Sequence, residues 1–138
     1  MFLVKISSHF YSAHRLADYN GKCANLHGHN YKVDAFFRSD DLTKTGFVID
    51  FGKLKKVLNK ITDKYDHKAI LKQCNMNTDL ISLLTSEGEE VILLEKNPTA
   101  ENLAKIIYNE LWANFPGLVS KVRIYESEDC YAEYCERL

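Results

Sequence analysis

Two histidines, His27 and His29, stand two residues apart at the head of an alternating run that extends to Arg38. In a strand, side chains at i and i+2 project to the same face. Backbone pairing therefore aims both imidazoles at one point, and the rest of the chain must fold around that constraint. Within the run, residues 29–38 read as a strand: His29, Tyr31, Val33, Ala35 and Phe37 share a face, while Lys32, Asp34 and Arg38 take the other with Phe36. Residues 2–14 read as a partner strand, with Ile6, Ser8, Phe10, Ser12 and His14 on one face. If the two strands pair, His14 arrives beside His27 and His29. His9 projects the other way and is read as structural or exposed.

Residues 15–26 carry Asp18, Asn20, Gly21 and Asn25 and read as a loop. A loop of this length in a compact domain is more often functional than filler. It contains Cys23, four residues ahead of His27. Asp50 is the expected N-cap of a first helix. Phe51, Leu54, Val57, Leu58, Ile61 and Tyr65 repeat at the helical period, and the helix should end near Asp66-His67. Residues 72–97 are less patterned: Met76 to Leu84 suggests a short helical turn, and Val91 to Leu94 an edge strand or core plug. Thr99 should cap a second helix whose buried stripe is Leu103, Ala104, Ile107, Leu111 and Phe115, stopped by Pro116-Gly117. Leu118 to Glu126 alternates again, with Leu118, Ser120, Val122, Ile124 and Glu126 on one face. Residues 130–136 form a short last strand.

The expected order is strand-strand-helix-helix-strand-strand. That order predicts an α+β domain over residues 1–138: an antiparallel four-stranded sheet with two helices on one face. Eighteen basic against 19 acidic side chains leave a formal charge of −1, which argues against nucleic acid or a membrane surface as the main partner. The apolar start, Met1 to Ile6, lacks the regions of a signal peptide, so a cytoplasmic location is expected. Cys23, Cys74, Cys130 and Cys135 show no Cys-x-x-Cys spacing and should be free thiols there.

Three histidines with a fourth position open would make a catalytic zinc site, since structural zinc sites are closed by four protein ligands. Such an ion polarises a substrate carbonyl or hydroxyl. Cys23 could then serve as the base at a neighbouring carbon, with His67, oriented by Asp66, tuning or relaying its proton. Asp66-His67 could equally be a helix-end capping feature. Glu126, a carboxylate on an apolar strand face, needs N–H donors for its ionised form and could bind a polar ring. The other reading of Cys23 is a fourth ligand closing a structural site. Neither a Gly-x-Gly-x-x-Gly nor a Gly-rich Lys-Ser/Thr phosphate loop is present.

Six segments in order carry a resemblance: Phe10–His14, Cys23–His29, Gly46–Phe51, Asp66-His67, Pro98–Leu103 and Tyr125-Glu126. With them the chain resembles the 6-pyruvoyl-tetrahydropterin synthase / 6-carboxy-tetrahydropterin synthase family over nearly its whole length. The resemblance implies zinc on His14, His27 and His29. It implies Cys23 as catalytic acid/base, Asp66 and His67 in the relay, and Glu126 both as a catalytic member of the relay and as the anchor of a pterin ring, with help from Thr99. It also implies the tunnelling fold, in which subunits of a homo-oligomer join their sheets into a barrel and sites lie between subunits. Asp66 and His67 would then serve a neighbour's Cys23. Three residues separate Cys23 from the His-Gly-His, which points to the bacterial 6-carboxy branch. That branch acts on 7,8-dihydroneopterin triphosphate on the route to queuosine; the 6-pyruvoyl branch is the alternative. Arg15, Lys22 and Lys68 are triphosphate candidates by proximity in sequence alone.

Overall fold

The structure is a computed structural model that describes residues 1–136. Two long strands, β1 (Phe2–His14) and β2 (His27–Ser39), pair antiparallel along their full length. The register sets His14 opposite His27 and Ser12 opposite His29. Alternation does what the sequence predicts: Ile6, Phe10 and His14 are buried from β1, and Tyr31, Val33, Ala35 and Phe37 from β2. Ser8 and Ser12 sit on the same inner face because each has a partner on the segment above it. Ser8 reaches Asn59 and Thr62, and the Ser12 hydroxyl donates to the Tyr65 carbonyl.

That segment begins with α1 (Phe51–Thr62). Asp50 caps it by accepting from the Lys53 N–H at 3.0 Å, and Leu54, Leu58 and Ile61 are buried against the sheet. The helix stops at Thr62, earlier than the apolar spacing suggests. Tyr65, Asp66 and His67 lie beyond it in turns, and His67 takes a left-handed φ of 57°. Such a backbone is uncommon for a residue other than glycine, and here it turns the chain into a strand. That strand, β3 (Lys68–Lys72), lies parallel to β1, with Ser12 opposite Lys68.

The expectation of four antiparallel strands and two helices is therefore corrected. The sheet has six strands in the order β4-β3-β1-β2-β5-β6, with β4 (Val91–Leu94), β5 (Val119–Tyr125) and β6 (Tyr131–Tyr134). β3 and β4 also run parallel to each other. Parallel neighbours need a crossover of about a dozen residues or more. Residues 73–90 supply it and contain α2 (Thr78–Ser86), a third helix with no buried residue. The last helix, α3 (Ala100–Asn114), buries Leu103, Ala104, Ile107 and Leu111, and Phe115 follows them into the core.

In β5 the predicted faces hold only for part of the strand. Phe36 pairs with Lys121 but Phe37 pairs with Val119, so Ser120 is the extra residue of a bulge. A bulge shifts the phase of alternation by one. Val119 is consequently buried together with Val122 and Ile124, where strict alternation would have put it outside. Among the described residues no helix is long and apolar enough to cross a membrane.

Candidate active site

His14, His27 and His29 meet where β1 ends and β2 begins. One ring nitrogen from each lies within 4.8 Å of the other two. The hydrogen bonds fix which nitrogens face inward. His14 Nδ1 is 2.8 Å from the Pro98 carbonyl, and His27 Nδ1 is 2.7 Å from the Asn25 carbonyl. A carbonyl only accepts, so in both rings Nδ1 carries the hydrogen and Nε2 is bare. Those two bare Nε2 atoms are 3.1 Å apart. The Nε2 of His29 is buried with no hydrogen-bond partner among the described residues. Lone pairs converging in such a place repel one another unless a cation sits among them. The donor set, three imidazoles of which His14 and His27 are oriented through their far sides, is the kind that holds a divalent transition metal.

Burial lowers the pKa of His14 from its ordinary 6.5 to about 4; the bond to Pro98 opposes this, and His27 and His29 reinforce it. The ring therefore stays neutral in the folded protein at ordinary pH, as a metal ligand must. The Tyr31 hydroxyl lies 3.0 Å from His14 Nδ1. Burial raises the Tyr31 pKa above its ordinary range, and the nearby Glu126 and Cys23 add to the effect. The hydroxyl is thus a fixed neutral support for the His14 ring. Its place in the period-two run of His27 and His29 was the signal for it. The Pro98 and Asn25 carbonyls had no such signal, because main-chain acceptors leave no mark in side-chain pattern.

Beside His14 is a cavity of about 310 Å³. Cys23, Thr99 and Glu126 line it together, with Tyr19, Glu101 and Cys130 among the other walls. Cys23 is half-buried in a single 3-10 turn, Lys22–Ala24, and Thr99 caps α3 by accepting from the Asn102 N–H at 3.3 Å. Four residues singled out in the sequence are therefore neighbours although they come from four separate segments.

Asp66 and His67 are not among them. Asp66 accepts from Tyr11 N at 2.9 Å and from His67 Nδ1 at 2.8 Å, and the Tyr11 carbonyl accepts from His67 N at 2.7 Å. The Tyr11 amide, with His67 assisting, holds the Asp66 carboxyl below its usual range. The His67 ring is exposed and leans on Tyr11, whose side chain projects from the face of the sheet opposite His14. It lines a different cavity of about 570 Å³, with Asn30, Lys68 and Glu90 among its walls. The three basic candidates divide as well. Arg15 is committed to Asn77 Oδ1 (2.7 Å) and the Met76 carbonyl (2.9 Å); Lys68 pairs with Glu90 at 2.8 Å; Lys22 is exposed.

The sequence matches the 6-pyruvoyl tetrahydropterin synthase family over residues 3–137. The chain belongs to this family. Among similar curated proteins are those named 6-carboxy-5,6,7,8-tetrahydropterin synthase from Rickettsia felis and Haemophilus influenzae. The first is 34% identical, covering 90% of this chain and 93% of the relative. The second is 35% identical, covering 99% and 100%. Among solved structures, the 6-pyruvoyl tetrahydropterin synthase of Caenorhabditis elegans superposes with a TM-score of 0.74 at 25% identity, over 99% of this chain and 96% of that one. An uncharacterized protein of Wolinella succinogenes reaches 0.81 at 20% identity, over 99% and 100% of the two chains, which is a likeness of fold.

Proposed function

We propose that the protein is a zinc-dependent carbon–oxygen lyase that converts 7,8-dihydroneopterin triphosphate and one water to 6-carboxy-5,6,7,8-tetrahydropterin, acetaldehyde and triphosphate, in the route to queuosine and related deazapurines. The observation that carries the reading is the convergence of one ring nitrogen from each of His14, His27 and His29 beside a cavity shared by Cys23, Thr99 and Glu126. The names of the curated relatives support the carboxy branch, as does the three-residue gap between Cys23 and His27.

A zinc ion on the three imidazoles supplies Lewis acidity toward a side-chain oxygen of the substrate. The protein supplies the rest. Cys23, as thiolate, takes a proton from the carbon beside that oxygen and returns one later. The Glu126 carboxylate accepts paired N–H bonds from the pterin ring and fixes its orientation. Thr99 uses its oxygen for the helix cap and keeps its hydroxyl hydrogen free to donate to the ring. Pro98 and Tyr31 hold the His14 ring in one orientation, so the site needs little rearrangement when substrate arrives. Asp66 keeps the proton of His67 on Nδ1 and so presents Nε2 outward. Because that dyad faces the other side of the sheet, it serves the cavity of a second copy in a homo-oligomer whose sheets close into a barrel.

The test is incubation of the zinc-loaded protein with dihydroneopterin triphosphate, with and without chelator, followed by product identification. Acetaldehyde, triphosphate and a carboxylated pterin are expected, and chelation should abolish all three. A pyruvoyl product without acetaldehyde would move the protein to the sister branch. Cys23→Ala should keep stoichiometric zinc and lose turnover; loss of zinc in that variant would make the sulfur a ligand and remove its proposed role.

A further inference from the structure

We infer that Asn97 is a positioning residue for Cys23, clamping the loop that carries the thiol onto the turn that carries Pro98 and Thr99. The inference rests on the proposed function in one respect, that Cys23 carries the proton.

The loop between β1 and β2 leaves the sheet after His14 and returns at His27, and nothing in its own sequence would make it rigid. Arg15 holds its start through Asn77 and Met76, and two further sets of bonds hold the part that carries the thiol. The Cys23 carbonyl accepts from Leu16 N at 2.8 Å, which closes residues 16–23 on themselves. The Asn97 side chain then grips this closed loop at one residue. Its Oδ1 accepts from Ala17 N and its Nδ2 donates to the Ala17 carbonyl, both at 2.9 Å. Ala17 is 1% exposed, so water is a poor substitute for either bond. On the other side the Asn97 carbonyl accepts from Thr99 N and from Asn102 Nδ2, both at 2.8 Å. Asn102 in turn donates its N–H to Thr99 Oγ1.

One residue therefore fixes the distance between the thiol and the helix start across the cavity. The side chain is specific for the task. A carboxylate of the same shape loses the donor and opposes the Ala17 carbonyl. A glutamine is longer by a methylene and cannot present both atoms at the same span. Asp18 next to the clamp is held at a left-handed φ of 55°, so the loop changes direction at the point of attachment.

The experiment uses the full-length, zinc-loaded protein with Asn97→Ala and Asn97→Asp. The first readout is the alkylation rate of Cys23, resolved by peptide, with Cys130 as internal reference because it lines the same cavity outside the loop. Loss of two buried hydrogen bonds should speed alkylation of Cys23 by about fivefold or more relative to Cys130. The second readout is the split between kcat and KM: kcat should fall about tenfold while KM stays within about threefold, since the ring contacts remain. Wild-type alkylation of Cys23 relative to Cys130 would overturn the inference, as would parallel acceleration of both thiols. Asn97→Asp preserves shape and volume and covers the case in which Asn97→Ala fails to fold. If the wild type shows no turnover of dihydroneopterin triphosphate, the proposed function fails and the alkylation ratio still decides the clamp.

Discussion

In the metal-free protein, folding stability should depend on pH through His14. Burial holds its folded pKa at about 4 against an ordinary 6.5. The unfolded chain therefore binds a proton that the folded chain refuses throughout that window, and stability must fall as pH falls. The contribution is complete above the unfolded value and is lost progressively down to the folded one. Integrating the two titrations gives a loss of about 2 kcal/mol between about pH 7 and about pH 5, and about 3 kcal/mol by about pH 4. The side chain is 2% exposed, so solvent does little to soften the effect.

The assay is urea denaturation of chelator-treated protein at a fixed protomer concentration across that range, beside the same series for His14→Gln. Every other titrating group is common to both proteins, so the difference between their slopes isolates His14. Zinc at about 100 times its dissociation constant should restore roughly 2.7 kcal/mol at neutral pH in the wild type. Equal slopes in the metal-free wild type and His14→Gln would refute the reasoning. They would mean that the ring is not held neutral by burial, and that the three Nε2 atoms are not a preformed site.

Other outcomes can be checked separately. Leu58→Ala empties a fully buried position on α1 and should cost about 2–5 kcal/mol in urea denaturation without changing zinc stoichiometry. Thr99→Val removes the α3 cap at a cost of about 1 kcal/mol and should raise KM more than it lowers kcat; Thr99→Ser should reverse both. Cys23→Ala and His67→Gln should each be inactive alone, yet regain about a quarter of wild-type turnover when co-refolded in equal amounts, because mixed neighbours rebuild some complete sites. No recovery would confine the relay to one chain or remove His67 from it.

The most legible parts of the sequence were those where one physical rule acts without competition. Period-two alternation in residues 2–14 and 29–38 put His14 and His29 on buried faces that pack together, and the observed register sets His14 opposite His27. Asp50 and Thr99 announced their helices because an unsatisfied N-terminal N–H needs a side-chain oxygen. β3 was illegible for a different reason. Its apolar content is Ala69-Ile70-Leu71, too short a run for either period to declare itself, and it forms by adding to an edge of β1 that local sequence does not describe. The bulge at Ser120 escaped because the strand reads as regular alternation; only the fit of Val119 into the core resets its phase. The helical spacing up to Tyr65 over-extended α1, since Tyr65 is buried from a turn rather than from the helix.

The same rule of alternation that assembles the candidate metal centre also explains what it leaves out. His14 belongs to the even-numbered, buried face of β1 and Tyr11 to the odd-numbered, exposed one. The dyad is tied to Tyr11 by both main-chain atoms of that residue, which lie in the plane of the sheet, and the His67 ring leans on the Tyr11 ring. Within one chain the thiol and the His67 ring line different cavities. If His67 belongs to the proposed relay, its proton reaches Cys23 from a neighbouring copy, and that is what the mixed refolding of Cys23→Ala with His67→Gln reads.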